Sequence, residues 1–148
     1  MVKKISKNLK DTEEIAKQIL KMVYEKEKSA ATIVGLYGNL GAGKTALSQA
    51  IGKLLNIKEN ITSPTFVIMK SYQLSGENFQ KLIHIDAYRL EKEKELINLG
   101  WADIIADPKN LVLIEWPENV SKILPKEYLR INICHAGDSS REIEIKMI

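Results

Sequence analysis

Gly38-Asn-Leu-Gly-Ala-Gly-Lys-Thr45 is the stretch from which the rest of the chain is read. It fits the phosphate-loop spacing G-x-x-x-x-G-K-[ST] at every fixed position. Glycines let the backbone curl until successive N–H groups face one anion. The backbone of Leu40, Gly41, Ala42 and Gly43 is therefore expected to cradle phosphate, with Lys44 reaching its outer oxygens and Thr45 offering a hydroxyl to Mg²⁺. The flanks agree. Ala31-Thr-Ile-Val-Gly-Leu-Tyr37 is apolar and β-prone, like a buried strand. From Ala46 to Leu55, the residues Leu47, Ala50, Ile51 and Leu54 fall on one helical face. A helix starting at this point aims its positive end at the same anion. A chance glycine-rich turn carries no such strand and helix around it, so nucleotide binding is the expectation.

The chain has 148 residues and a formal net charge of +3. That length predicts one domain over 1–148, large enough to bury about two-thirds of its unfolded surface. It leaves little room for the lid and acceptor domains of larger nucleotide enzymes. Met1-Val-Lys-Lys-Ile-Ser-Lys7 lacks the apolar stretch of a signal peptide, and no apolar run approaches the roughly 20 residues of a membrane span. A cytoplasmic protein without membrane contact is expected. Cys134 is the single cysteine, so no intrachain disulfide can form. It lies in the alternating stretch Leu129–His135 and reads as a core thiol. One cysteine and two histidines, His84 and His135, do not make a structural zinc site. His84 reads as a packed or hydrogen-bonded residue. The lysines are dispersed, so nothing argues for autonomous nucleic-acid binding.

Outward from the loop, residues 11–26 read as a helix capped by Asp11 or Thr12, with Ile15, Ile19, Met22 and Val23 as its apolar stripe. Phe66–Leu74 and Lys81–Tyr88 read as strands joined by a turn at Ser75-Gly-Glu-Asn78. The alternating charges of Glu91–Glu95 open a short helix ending near Gly100, and Trp101–Ala106 continues as a helical turn before Pro108. Leu111–Trp116 reads as a second buried strand. Tyr128–Ala136 and Glu142–Ile148 form a closing hairpin around Gly137-Asp138. These elements predict an α/β fold, a phosphate-loop NTPase domain with a mixed β-sheet flanked by helices.

A phosphate loop needs an acid beside it, because Mg²⁺ takes hard oxygen ligands and attacking water must be positioned. Two apolar runs end in carboxylates, Leu111-Val-Leu-Ile-Glu115 and Leu82-Ile-His-Ile-Asp86. Either acid alone reads equally well as a surface pair or helix cap. Two such strands in a phosphate-loop chain point to metal service by at least one of them. Thr65, in Ser63-Pro-Thr-Phe66, lies where a loop hydroxyl can sense the γ-phosphate or its metal, although Ser-Pro-Thr also makes an ordinary turn. Trp101 and Trp116 read first as core residues. No Asn-Lys-x-Asp string is present to read guanine, and the protein-kinase signatures are missing.

The order Gly38-Asn-Leu-Gly-Ala-Gly-Lys-Thr45, Ser63-Pro-Thr-Phe66, His84-Ile-Asp-Ala-Tyr-Arg-Leu90 and Glu115-Trp-Pro-Glu118 closely resembles the TsaE (YjeE) family of small bacterial ATPases. The resemblance runs from the helix at Thr12 to Arg141. It implies ATP and Mg²⁺ as cofactors and a role in making threonylcarbamoyladenosine beside the tRNA anticodon. It also implies TsaD and TsaB as partners, with ATP hydrolysis resetting their complex between turnovers and tRNA met indirectly through it. By the same resemblance, Lys44 and Thr45 match the phosphate-loop Lys and metal-ligating Thr, and Glu115 matches the second metal ligand. Asp86 matches a carboxylate required for hydrolysis, Thr65 the switch-like Thr, and Arg141 a C-terminal Arg near the nucleotide. Leu9–Thr12 matches a stretch that encloses the base. Asn39 and Ala46 depart from the commonest family residues, and neither supplies an obligatory phosphate contact. Two other functions stay open on the sequence. One is a nucleotide-dependent assembly factor with little hydrolysis, and the other is a small-molecule kinase.

Overall fold

The computed structural model describes residues 1–59, 61, 68–137 and 139–148. Ser63-Pro-Thr-Phe66, and with it Thr65, lies outside them, as does Asp138 in the last turn. In chain order the elements are β1 (Val2–Ser6), α1 (Leu9–Glu25), β2 (Thr32–Tyr37), α2 (Lys44–Leu54), β3 (Met69–Gln73) and β4 (Lys81–Asp86). There follow α3 (Glu93–Ile97), α4 (Trp101–Ala106), β5 (Asn110–Glu115), a kinked 3₁₀ stretch (Pro117–Ile123), β6 (Leu129–His135) and β7 (Arg141–Met147).

The strands form a seven-stranded sheet in the order β1-β7-β6-β2-β5-β4-β3. Its centre is parallel, with β2 paired to both β5 and β6, and β5 paired to β4. The antiparallel pairs β3–β4, β6–β7 and β1–β7 extend it on both sides. The mixed sheet matches the sequence expectation.

Alternation along the strands divides the core. Val34, Leu36, Leu111 and Leu113 pack with Ile15, Ile19 and Val23 of α1 and Leu47 and Ile51 of α2. Ile33, Val112, Ile114, Ile83 and Ile85 face the other way, against Leu96, Trp101 and Val120. Strands buried on both faces need apolar residues at every position, which is why β5 reads as an unbroken apolar run. Among the described residues, no helix is long and apolar enough to cross a membrane.

Several boundaries differ from the sequence reading. The first helix begins at Leu9, because Asn8 caps it by accepting from Asp11 N at 2.9 Å. Asp11 meanwhile accepts from Lys7 N at 2.9 Å, so Asp11 and Thr12 lie inside the first turn. The strand read as Lys81–Tyr88 stops at Asp86, whose Oδ1 turns back to accept from Tyr88 N at 3.0 Å. Cys134 is exposed. In β6 the apolar Leu129, Ile131 and Ile133 take the buried side, and Cys134 falls on the outward phase of the pleat.

Candidate nucleotide site

The C-terminal ends of parallel strands are where open α/β sheets receive ligands. Three such ends meet here. Strand β2 runs into the glycine loop, and β4 and β5 end at Asp86 and Glu115, which are register partners across the two strands. Glu115 shares the α1–α2 face of β5 with Leu111 and Leu113. Asp86 likewise shares a face of β4 with Leu82 and His84. The register of a parallel pair therefore sets two carboxylates side by side beneath the start of α2.

The loop is shaped by close approaches. Gly38 has φ +154, and a Cβ there would lie 2.5 Å from the Ile133 carbonyl oxygen. No other residue fits between the loop and β6. Gly41 and Gly43 take φ +77 and +108, which L side chains rarely adopt. A planar peptide sends its N–H and C=O in opposite directions. Within the loop Ala42 N donates to Asn39 O at 3.0 Å, while the carbonyls of Gly41 and Ala42 point outward, and Arg141 meets both. Its Nε donates to Ala42 O at 3.0 Å and its NH2 group to Gly41 O at 3.4 Å, while NH1 donates to Ser140 O at 3.2 Å. Arg141 straps the loop from β7.

Lys44 is 5% exposed. Its Nζ donates to the Gly38 carbonyl oxygen and lies 3.5 Å from the centre of the Trp116 ring. Burial pushes its pKa below the ordinary lysine range, against the opposing pull of Glu115, Glu118 and Asp86. Trp116 leaves β5 with φ 60 and ψ 47, a conformation unusual for a bulky residue, and packs against Tyr88 with ring centres 4.9 Å apart and planes tilted by 48°. Trp116 packs half-buried against the second core cluster, as read from the sequence, and the left-handed turn before Pro117 also swings it beside Lys44. Asn119 ties this turn to the end of β4 by donating to Ala87 O at 2.8 Å.

Glu115 is 3% exposed and accepts from His84 Nε2 at 2.6 Å. Thr45 opens α2 next to Lys44. Thr12 bonds Ser6 Oγ at 2.7 Å, and Ser6 is the register partner of Arg141. The structure thus gathers Lys44, Glu115, Asp86, Arg141 and the backbone of Leu40–Gly43 around one loop, with Thr12 on its β1–β7 side. Three features were not read from the sequence: the Lys44–Trp116 contact, the His84–Glu115 bond and the strap of Arg141 on loop carbonyls. The only signal for the His84 bond was a histidine interrupting an otherwise apolar strand.

The model of the threonylcarbamoyl adenosine biosynthesis protein TsaE matches residues 6–143. The chain belongs to the TsaE family. A tRNA threonylcarbamoyladenosine biosynthesis protein TsaE from Nostoc is 38% identical over 120 residues, which are 79% of this chain and 71% of that protein. The TsaE protein of Haemophilus influenzae is 35% identical over 130 residues, 88% of this chain and 77% of that one. Among solved structures, Bacillus subtilis YdiB superposes with a TM-score of 0.75 at 30% identity, covering 99% of this chain and 85% of YdiB. The TsaE relatives and YdiB place the phosphate-loop NTPase-like architecture on firm ground, and the glycine loop, Asp86 and Glu115 all fall within the matched residues.

Proposed function

We propose that this TsaE chain binds ATP with Mg²⁺ and hydrolyses it slowly, in the service of tRNA threonylcarbamoyladenosine synthesis by TsaD and TsaB. The observation that carries the reading is the meeting of a buried Lys44 with Glu115 and Asp86 at the C-terminal ends of the inner strands, beside a strapped glycine loop. A buried ammonium held by one backbone carbonyl and a ring is a site prepared for an anion that can replace those contacts.

The donor set fits Mg²⁺. Among the described residues no three His, Cys, Asp or Glu side chains converge as a metal cage. Thr45 and Glu115 supply one hydroxyl and one carboxylate, the sparse protein ligation that Mg²⁺ accepts when substrate phosphates complete its shell. When bound, the cation neutralises charge developing on the transferred phosphoryl group. Lys44 would then leave Gly38 O for the β- and γ-phosphate oxygens. Asp86, neighbour to Glu115 and outside that ligand pair, would orient the attacking water, and Thr65 would sense the γ-phosphate. Loop N–H groups and the N-terminus of α2 would hold the phosphates, with Ala42 N giving up its bond to Asn39 O if it joins them.

Turnover by the isolated chain should be slow. The guanidinium of Arg141 is spent on loop carbonyls, so this site supports no internal arginine finger from β7. A docked partner that supplies or orients the missing charge raises phosphoryl-transfer rates by about 10³–10⁵. The test measures ATP hydrolysis by this chain alone and with TsaD–TsaB from the same organism, alongside multiple-turnover tRNA modification. Stimulated hydrolysis and a requirement for this chain support the reading. Binding without stimulation favours a nucleotide-dependent assembly factor, and phosphate transfer to a metabolite favours a kinase. No ATP binding, or an unchanged modification yield without the chain, sinks the proposal.

A further inference from the structure

His84 is completely buried in β4, yet nothing in the nucleotide chemistry above gives it a task. Its Nε2 donates to Glu115 Oε2 at 2.6 Å, a length at the short end for a charge-assisted hydrogen bond. Its Nδ1 is buried and meets no partner among the described residues. The register pairs His84 with Leu113, two residues before Glu115 on the same face of β5. The contact is therefore a diagonal cross-strand pair, set by the sheet itself.

We infer that His84 is a positioning residue, which fixes the Glu115 carboxylate so that it is presented to the divalent cation of the bound nucleotide. The inference rests on Glu115 being a cation ligand. Two facts argue for it. A buried ring nitrogen without a partner costs stability, so a side chain there only to fill space is better made of carbon. The residue that fills this space instead has one bonded atom, and that bond ends on the site's most buried carboxylate. A glutamate also has three torsions to fix, whereas a histidine packed in a strand interior has few rotamers left. The bond transfers the rigidity of the sheet to an otherwise flexible ligand, the usual role of groups behind a metal-binding side chain.

The test separates the donor from the packing. His84→Gln places an amide nitrogen near the position of Nε2, His84→Met has matching length without a donor, and His84→Asn has a donor too short to reach. The readout is affinity for a fluorescent, non-hydrolysable ATP analogue, measured with Mg²⁺ and again in EDTA, on variants checked for cooperative melting. His84→Met and His84→Asn should each reduce the Mg²⁺ enhancement of binding by about 10- to 100-fold, with affinity in EDTA nearly unchanged. His84→Gln should recover most of the enhancement. Three results overturn the inference: wild-type enhancement in both His84→Met and His84→Asn, equal loss of affinity with and without metal, or a Gln variant no better than Met. A wild-type protein with no Mg²⁺ enhancement, or a Glu115→Gln variant that keeps it, instead removes Glu115 from the cation site, and the inference falls with it.

Discussion

Arg141→Met tests whether the strap across the glycine loop holds it ready for phosphate. The substitution keeps an unbranched apolar stem and removes every donor. The backbone of Arg141 still pairs with His135 and Ser6, so β7 stays in the sheet. What the loop loses is the 3.0 Å bond to Ala42 O and the longer 3.4 Å bond to Gly41 O; the 3.2 Å bond to Ser140 O goes too, but it does not touch the loop. A hydrogen bond from a charged group contributes about 1.5–3 kcal/mol, and this guanidinium, half-buried, belongs at the lower end. The bond at 3.4 Å adds little, because strength fades with length. A total of about 2 kcal/mol, taken from the ordering of the loop, corresponds to roughly 30-fold weaker nucleotide binding. Arg141→Lys should fall between, since one ammonium cannot span two carbonyls as a planar fork does. Calorimetric titration with Mg²⁺-ATP gives the affinity, and a melting curve gives the stability. Arg141→Met binding within about twofold of wild type refutes the strap, as does a loss matched by general unfolding.

Lys44→Ala should remove tight ATP binding without unfolding the chain. In the wild type, burial lowers the Lys44 pKa in the free protein and a bound phosphate raises it, so binding takes up a proton between those two values. ATP affinity should therefore fall as pH rises toward the ordinary lysine range, and affinity that stays constant into that range contradicts the assignment. Glu115→Gln should weaken Mg²⁺-dependent binding, whereas Asp86→Asn should bind ATP and fail to hydrolyse it. Equal loss of binding in both would erase the division of labour. Gly52→Ala places a Cβ 2.2 Å from Ile61 Cδ1, so it should cost about 1–3 kcal/mol in denaturant unfolding. Adding Ile61→Val, which deletes that methyl, should return part of the loss.

The sequence signals that succeeded were local ones. The glycine loop, the amphipathic α2 and the apolar β5 each declare themselves within a dozen residues, and the turn at Ser75–Asn78 does so in four letters. Signals that depend on distant pairing stayed dark. Strand β1 carries two lysines on a sheet edge, and its partner β7 lies at the other end of the chain. Cys134 shares the strand phase of Arg130 and Asn132, so the alternation already put it outside; the core reading followed its residue type instead of its phase. Asp86 and Glu115 were each recognisable as acids after apolar runs. Their adjacency, and the bond from His84, come from the β4–β5 register, which no short window encodes. The Lys44 contact of Trp116 was not legible, because it is set by a left-handed residue before proline rather than by a periodic pattern.

The strap also fixes an order of events. Gly41 and Ala42 leave the ribosome about a hundred residues before the arginine that holds them. The glycine loop rests on Ile133 of β6 as well, so β2 and α2 alone lack both the floor and the clasp of the phosphate cradle. At translation rates of roughly 5–20 residues per second, the interval lasts several seconds. During that time a nascent chain carries the motif without the cradle. Nucleotide capture thus waits for the β6–β7 hairpin, made about a hundred residues after the motif it completes.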